Sequence, residues 1–346
     1  MMYEKTLILF PLALAACGDS IPIDDAGPPT IDAAPLDSPM QFSDAGPSDA
    51  SWQPDTWTCS AVAPSKVLES VSECLVSLAG GQDFASAIAV DATNVYWATN
   101  TELLKISKAG GKPVVLAPTQ MQAFAIAVSA TNVYWSVEYA GAIMKVPVGG
   151  GTPTTFASAT APTGLAVDAV NVYWADYGAN TISKKPIGGG ATVTLASLTS
   201  PPQGLAVDAQ NVYWVADDGS VAYVPIAGGS STPLATEGGS GLMVAVDATT
   251  VYWTSGYAVW AVPIAGGTAS LVGHALNWAD GVAVDATRLY WTDMEQVYYT
   301  SKTNTSQGSL PLYQFEPAPY GLVSDGTSIY WTSQSMDASV MKTTLY

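Results

Sequence analysis

Apolar and polar positions follow a short pattern that repeats along most of the chain. From about residue 75, an apolar run ending in Val-Asp-Ala or a close variant is followed by a Tyr-Trp pair. The Trp of this pair recurs every 38 to 40 residues, at Trp97, Trp135, Trp174, Trp214, Trp253, Trp291 and Trp331. A fixed period of this length is typical of an array of supersecondary units.

Each unit predicts four short strands. In the third unit they are expected over 164–167, 171–175, 182–187 and 192–196, with an Asp turn after the first and three glycines before the last. β-Branched and aromatic residues fill these segments, and no stretch keeps a helical period for more than two turns. Four antiparallel strands per unit predict an all-β fold built of β-propeller blades.

The seventh unit is one strand short, and this predicts how the ring closes. It runs from about Tyr320 to Tyr346, while the segment 74–78 matches the fourth strand of the third unit in position and character. We therefore expect a seven-bladed β-propeller of four-stranded antiparallel blades over 57–346. An N-terminal strand would complete the last blade and remove two open sheet edges.

The first 56 residues follow a different pattern. The apolar run over 6–16 is too short to span a bilayer as a helix, which needs about 20 residues, and it fits the core of a secretory signal. It ends in Leu14-Ala15-Ala16-Cys17, which resembles the lipobox of bacterial lipoproteins. An ordinary cleaved signal and a buried N-terminal helix are the alternatives.

The lipobox resemblance implies a cellular location. Residues 1–16 would be a lipoprotein signal peptide and Cys17 the lipidated first residue of the mature chain. Residues 18–56 hold eight Asp, seven Pro and no Lys, Arg or Glu, so 17–56 are expected to form a disordered acidic tether. The expected location is the bacterial cell envelope, lipid-anchored at the outer membrane or cell surface rather than the inner membrane.

Composition excludes several function classes. The chain has 11 Lys+Arg against 29 Asp+Glu and a net charge of −18, so no nucleic-acid partner is expected. One His excludes a multi-His metal site within one chain, and three Cys cannot form a four-thiolate site. Outside the cytoplasm Cys59 and Cys74 are expected to form a disulfide, with two free thiols as the alternative.

One unit carries a family resemblance. The string Leu289-Tyr290-Trp291-Thr292-Asp293 resembles the YWTD repeat of low-density-lipoprotein-receptor propellers, and the whole unit resembles NHL and gluconolactonase-type propellers. These families bind proteins, peptides, lipids or sugars, and some hydrolyse esters or lactones, so the resemblance implies a fold and leaves function open. The chain departs from the receptor family in having seven units rather than six and only one full YWTD string.

Residues present in every unit are expected to be scaffold. The Tyr and Trp of each pair should pack against the two neighbouring blades, with a sugar-stacking platform as the alternative. Turn-capping carboxylates or hydroxyls are expected at one repeated position, with a ring of calcium ligands as the alternative. That position is occupied by Asp91, Ser129, Asp168, Asp208, Asp247, Asp285 and Asp325.

Positions that vary between units are the candidate ligand contacts. The residue five before each repeated Asp or Ser should lie at the central mouth, which places Ser86, Phe124, Thr163, Gln203, Leu242, Asp280 and Tyr320 there. Loops on the same face add Glu138, Tyr139, Asp176, Tyr177, Asp217, Asp218, Tyr257, Asp293 and Glu295. This face is acidic and aromatic, which suits a cationic group, Ca²⁺, a carbohydrate or a basic peptide. Ordinary polar loops are the alternative.

His274 is the remaining candidate, and with Asp280 it forms the first base–orienter pair to test in a hydrolase. The chain has no Gly-x-Ser-x-Gly elbow, and no catalytic motif is evident. We therefore expect a monomeric domain that binds a protein, peptide or carbohydrate ligand and contacts the membrane through its lipid anchor. No cofactor is expected, with Ca²⁺ left open. The alternatives are a metal-dependent hydrolase or lactonase of the gluconolactonase-like type and a purely structural envelope protein.

Overall fold

A computed structural model describes residues 75–82, 84–118, 123–303, 308–314, 318–334 and 338–344. Within these ranges 28 strands form seven four-stranded antiparallel sheets, and no helix occurs there. The innermost strands of successive sheets contact one another around a closed ring. The predicted all-β, seven-bladed propeller is confirmed. The described part of the chain accordingly contains no apolar helix with the length needed to span a membrane.

The strands follow in chain order, four to a blade, after β1 (Leu75–Gln82). Blade 1 is β2 (Ile88–Val90), β3 (Asn94–Ala98), β4 (Glu102–Ser107) and β5 (Val114–Pro118); blade 2 is β6 (Ile126–Val128), β7 (Asn132–Val137), β8 (Ala142–Pro147) and β9 (Thr154–Ser158). Blade 3 is β10 (Pro162–Val167), β11 (Asn171–Asp176), β12 (Thr181–Pro186) and β13 (Val193–Ser197); blade 4 is β14 (Pro202–Val207), β15 (Asn211–Ala216), β16 (Val221–Pro225) and β17 (Thr232–Ala235). Blade 5 is β18 (Gly241–Val246), β19 (Thr250–Ser255), β20 (Ala258–Pro263) and β21 (Ser270–His274); blade 6 is β22 (Val282–Val284), β23 (Arg288–Thr292), β24 (Gln296–Ser301) and β25 (Leu310–Gln314). Blade 7 has β26 (Pro319–Ser324), β27 (Ser328–Ser333) and β28 (Ala338–Thr344).

The N-terminal strand closes the ring. Strand β1 pairs antiparallel with β28, with Leu75 opposite Thr343 and Val76 opposite Lys342. The order of this sheet is β1-β28-β27-β26, so β1 is the outer strand of blade 7. This confirms the predicted closure. The signal peptide, Cys17, the tether, Cys59 and Cys74 lie outside the described residues, so the lipidation and the disulfide stay predictions.

The hydrophobic core lies between the blades. Each inter-blade cluster joins the Tyr of one blade to the Trp of the next, as with Tyr96 and Trp135 or Tyr290 and Trp331. The same pairing recurs at all seven junctions. Adjacent residues of a strand face opposite ways, so one Tyr-Trp pair serves the blades on both sides. The predicted packing role of these rings is confirmed.

The repeated Asp fastens each first turn to this core. One Asp91 oxygen accepts the backbone N–H groups of Thr93 and Asn94 at 2.7 Å, and the other accepts the Tyr96 hydroxyl at 2.6 Å. All six Asp copies bind the Tyr five residues later in the same way. The predicted turn capping is confirmed, and the bond to the Tyr ties the turn to the inter-blade cluster.

Hydroxyl groups bridge the blades near the central mouth. In blades 5 and 6, for example, Thr254 Oγ1 donates to the Asp280 carbonyl at 3.1 Å and Thr292 Oγ1 to the Tyr320 carbonyl at 3.0 Å. Ser136 and Thr332, at the same position after the Trp, donate to the carbonyls of Thr163 and Ser86. At two further junctions Ser86 and Thr163 donate from the mouth itself to the carbonyls of Ala123 and Pro202. These bonds hold the backbone around the mouth in a fixed position.

Candidate functional site

The two faces of the ring differ in the loops that form them. We call the mouth face the side that carries the connections between blades and the loops joining second to third strands. The turn face carries the Asp turns and the turns joining third to fourth strands. Because the strands of each blade are antiparallel, these two sets of loops lie at opposite ends of every blade.

Charge is divided between these faces. In the described residues, the mouth-face loops and strand ends carry Glu102, Glu138, Asp176, Asp217, Asp218, Glu237, Asp280, Asp293 and Glu295. Every described Lys and Arg lies in a turn-face loop or in the half of a strand nearer that face, namely Lys105, Lys108, Lys112, Lys145, Lys184, Lys185, Arg288, Lys302 and Lys342. The mouth face is therefore strongly negative.

Turn-face cations are bound within the protein. Lys105 Nζ donates to the Val148 carbonyl at 2.6 Å, and Lys184 Nζ donates to the Ile226 carbonyl at 2.6 Å. Lys108 pairs with the Asp325 carboxylate at 2.7 Å. Each contact joins neighbouring blades, so these cations fasten the ring on the face opposite the mouth.

A recessed pocket lies at the centre of the mouth face. A small cavity of about 20 Å³ is lined by Phe124, Leu242, Met243, Asp280, Gly281 and Tyr320. A cavity of about 300 Å³ shares Phe124 and Tyr320 with it and is completed by Ser86, Ala123, Glu138, Tyr139 and Gln334. We call these two cavities together the mouth pocket. Beneath them, a channel of about 260 Å³ is lined mainly by aliphatic residues of the inner strands.

A glycine brings Asp280 close to Tyr320. A Cβ on Gly281 would lie 2.6 Å from the Tyr320 carbonyl oxygen, so only glycine lets the inner strands of blades 6 and 7 approach this closely. The Asp280 N–H donates to the Thr292 carbonyl at 2.9 Å. The backbone on both sides of the Asp280 carboxylate is therefore held by hydrogen bonds.

The Asp280 carboxylate itself has no hydrogen-bond donor among the described residues. Burial, followed by the negative charge of Asp293, raises the pKa of Asp280 to about 6. Burial and the charge of Asp280 together raise the pKa of Tyr320 to about 12. An anion in an apolar pocket without donors is destabilised, so this carboxylate favours a cation beside it.

Two of the predicted mouth residues act as ties between blades. Ser86 and Thr163 are buried, and their hydroxyls donate to the carbonyls of Ala123 and Pro202 at 3.3 and 3.1 Å. Their side chains therefore hold the ring together, although Ser86 also lines the mouth pocket.

Two of the predicted loop acids lie inside their loops. Asp176 is 4% exposed and accepts the N–H groups of Thr160, Ala161 and Ala179. Asp293 is fully buried and accepts four backbone N–H groups and the Tyr298 hydroxyl. Asp176 and Asp293 therefore order the mouth-face loops.

A third acid joins three blades on this face. The Asp217 carboxylate accepts the Tyr177 hydroxyl at 2.9 Å and the Gln203 amide at 3.0 Å, with Ser240 Oγ at 3.5 Å. These donors come from blade 3, from the first strand of blade 4 and from the segment leading into blade 5. Tyr177 and Gln203 thus belong to a network beside the mouth pocket rather than to its lining.

His274 lies apart from the mouth. It ends β21, the outer strand of blade 5, and is exposed opposite Ala258. Asp280 precedes the innermost strand of the next blade. The structure therefore places the two residues on the same face, with His274 at its rim and Asp280 at its centre.

An exposed apolar patch adjoins Asp280, and the sequence analysis missed most of it. Tyr257 in blade 5, Leu276 and Trp278 in the connection to blade 6, and Met294 in blade 6 are between 48% and 69% exposed. The Tyr257 and Trp278 ring centroids are 6.1 Å apart, and the Ala279 N–H donates to the Gly256 carbonyl at 2.8 Å. We call these four side chains the blade 5–6 patch. The available signal was two large apolar residues, Leu276 and Trp278, in a connection between blades.

Exposed aromatic side chains share one face. The described ones are Phe84, Tyr139, Tyr257 and Trp278, and all lie in mouth-face loops. Among the described residues, no group of three or more His, Cys, Asp or Glu side chains is arranged to hold a metal ion.

Comparison with known proteins identifies the architecture and not a family. No family model matches the chain, and no curated protein matches it. The solved structure of streptogramin B lyase is similar with a TM-score of 0.66 at 14% identity, over 79% of this chain and 98% of that one. The WD40 β-propeller domain of Doa1 gives a TM-score of 0.65 at 12% identity, over 77% and 96%. A chain in the nidogen/laminin complex gives 0.55 at 18% identity, over 67% and 98%. At these identities the likeness shows the β-propeller fold alone.

Proposed function

We propose that this chain is a binding module whose mouth face engages a positively charged peptide or protein surface. The observation that carries the proposal is the coincidence, on one face, of unneutralised carboxylates and exposed aromatic side chains. Complementary charge speeds the encounter of two proteins, and buried aromatic anchors supply most of the affinity. The blade 5–6 patch provides such anchors beside the negative mouth.

A peptide-binding measurement tests this proposal. Two sets of short synthetic peptides, matched in length and apolar content, carry either Lys and Arg or Asp and Glu. At physiological ionic strength we expect the purified protein to bind members of the basic set and none of the acidic set. Binding should weaken as salt is added, because the ionic part of the attraction is screened.

A matched pair of variants locates the surface. Trp278→Ala removes an aromatic anchor on the mouth face, and we expect a loss of affinity of about tenfold or more. Val170→Ala is the control, since Val170 is an exposed apolar residue on the turn face. Equal effects of the two substitutions, or equal binding of basic and acidic peptides, would contradict the proposal.

We further propose that a lipid on Cys17 holds the propeller at the bacterial cell envelope, at the outer membrane or cell surface, with residues 17–56 as its tether. The lipobox resemblance and the acidic, Pro-rich composition support this. Mass spectrometry of the protein purified from membranes should show a chain that begins with an acylated Cys17. Cys17→Ser should move the protein out of the membrane fraction, and an unchanged distribution would contradict the anchor.

A further inference from the structure

The inner cavity of the mouth pocket combines one carboxylate with two aromatic rings and two other apolar side chains. Asp280, Phe124 and Tyr320 line it together with Leu242 and Met243. A carboxylate gives a cation charge and a hydrogen-bond acceptor, while aromatic faces attract it through their quadrupole. Both attractions are stronger in a pocket shielded from water.

The state of the Asp280 carboxylate distinguishes it from Asp176, Asp217 and Asp293 on the same face. Asp176 and Asp293 are saturated by backbone N–H groups, and Asp217 has side-chain donors from neighbouring blades. Asp280 has no donor among the described residues, and no described Lys, Arg or His lines either cavity of the mouth pocket. The pocket therefore holds an uncompensated negative charge at a defined point.

The oxygen atoms available in the inner cavity suit an organic cation rather than a hard metal ion. Ca²⁺ requires six to eight oxygen ligands, whereas the inner cavity offers the oxygens of Asp280 and the hydroxyl of Tyr320 against apolar walls. A flat or tetrahedral nitrogen cation needs one carboxylate and benefits from ring faces. The neighbouring cavity of about 300 Å³, with Glu138 and Tyr139, leaves room for the group that carries the cation.

We propose that the mouth pocket binds a single ammonium or guanidinium group, with Asp280 as its counter-ion and Phe124 and Tyr320 as aromatic walls. This inference rests on the proposed function, because it names the group of the basic partner that the central mouth receives. The partner's remaining contacts then fall on the rim, including the blade 5–6 patch.

Binding should depend on pH through Asp280. The titratable groups that face it are Asp293 from blade 6 and Tyr320 from blade 7, and Glu138 and Tyr139 face the adjoining cavity. Tyr320 remains a neutral phenol over the range of interest. Because the pKa of Asp280 is about 6, its carboxylate is ionised at pH 7.5 and largely protonated at pH 5, where exposed carboxylates stay charged.

Calorimetric titration with small probes tests the site directly. n-Butylammonium and n-butylguanidinium represent the cations, and n-butanol is their neutral counterpart. At pH 7.5 we expect saturable binding of a cation and none of the alcohol, and at pH 5 an affinity about tenfold lower. A lysine-containing peptide and its acetyl-lysine form, measured in parallel, distinguish a peptide side chain from a free amine as the source of the cation.

Variants complete the test. Asp280→Asn should weaken binding of the cation by about tenfold or more, since a hydrogen bond between charged partners is lost. Asp208→Asn makes the same substitution in a turn-face turn of blade 4, outside the pocket, and should leave the affinity unchanged. The pH comparison on the unaltered protein gives the same information without any substitution.

Each outcome separates this inference from the proposed function. If Trp278→Ala abolishes binding of the basic peptide while Asp280→Asn and pH 5 leave cation binding unchanged, the pocket assignment is overturned and the binding face stands. Equal binding of n-butanol and n-butylammonium would overturn it in the same way. If no basic peptide and no cation binds at pH 7.5, both the inference and the proposed function are wrong.

Discussion

Asp91 on the turn face and Asp280 on the mouth face have pKa values shifted in opposite directions. Partial burial acts to raise the pKa of Asp91, but hydrogen bonds from Tyr96 and from the turn N–H groups lower it to about 2. Asp280 has no such donors, and burial with the charge of Asp293 raises its pKa to about 6. The same residue type therefore stabilises a turn in one place, whereas in the other its charged form is disfavoured by burial without a hydrogen-bond donor.

The raised pKa predicts that Asp280→Asn stabilises the folded protein at neutral pH. In the unfolded chain Asp280 titrates near its ordinary value, so between about pH 4 and pH 6 the native state binds the extra proton. The contribution of protonated Asp280 to the free energy of unfolding is therefore complete below about pH 4 and is lost as the pH rises through 6. We expect the variant to be more stable by about 1–2 kcal/mol at pH 7.5, the figure being reduced for partial exposure.

Urea denaturation at pH 7.5 and pH 4 measures this difference. The difference in the free energy of unfolding between Asp280→Asn and the unaltered protein should be about 1–2 kcal/mol at pH 7.5 and close to zero at pH 4. Glu295→Gln, which removes an exposed charge, is the control and should change stability little at either pH. A variant that is less stable than the unaltered protein at pH 7.5 would show that Asp280 is a structural residue.

Ser129 is the one break in the repeated Asp position, and it leaves a buried group without a partner. The Tyr134 hydroxyl is buried and makes no hydrogen bond to the described residues, whereas each Asp copy binds its Tyr. Ser129→Asp should supply the acceptor and raise the free energy of unfolding by about 1 kcal/mol. Ser129→Ala, which removes the acceptor for the Thr131 and Asn132 N–H groups, should lower it. Chemical denaturation measures both, and destabilisation by Ser129→Asp would contradict the account.

Strand elements were predictable where local residue patterns decide them. The Tyr-Trp period located the second strand of every blade, and the missing fourth strand of the last unit predicted the pairing of β1 with β28. The positions of loop side chains were not predictable, because the alternation of residues within a strand does not determine where a carboxylate in a loop points. Asp293, expected among the ligand-face loop residues, is buried among five donors, while Leu276 and Met294 are exposed in loops where acidic and aromatic side chains are expected.

The hydroxyl bridges are the elements that position the mouth pocket. Thr292 Oγ1 donates to the Tyr320 carbonyl at 3.0 Å and accepts the Gly281 N–H at 2.9 Å, with its side chain fully buried. Thr292→Val keeps the shape but leaves both backbone groups unpaired, so we expect a loss of about 1–3 kcal/mol in the free energy of unfolding. Thr152→Val, at an exposed turn-face position, is the control. Equal stabilities of the two variants by chemical denaturation would contradict a structural role for these bridges.

For the whole molecule, closure by β1 is the feature on which the ring depends. Strand β1 covers the edge of β28 in blade 7, and an uncovered edge is a template for pairing with another chain. Deleting residues through 82 should therefore lower the thermal midpoint and produce concentration-dependent oligomers. Light scattering and thermal unfolding over a range of protein concentrations measure this. A deletion variant that stays monomeric and has the same thermal midpoint as the unaltered protein would show that β1 is dispensable.

The two faces of the propeller differ in charge. Lysines bound to carbonyls and carboxylates fasten the turn face, and the mouth face keeps its negative charge available. The acidic mouth loops are evident from the sequence but this division of charge is not, because the position of each Lys along its strand becomes informative only once the blades are aligned. This distribution would steer the cationic partner that we propose to the side where the aromatic residues are exposed.

The titration of Asp280 with and without a bound cation tests the central claim most directly. Carbon-detected nuclear magnetic resonance of the aspartate carboxyl groups follows Asp280, identified by its loss in Asp280→Asn. In the free protein it should titrate near pH 6, and saturating n-butylammonium should shift the titration to lower pH because the cation binds only the ionised form. An Asp280 that titrates at the same pH with and without n-butylammonium would contradict the account.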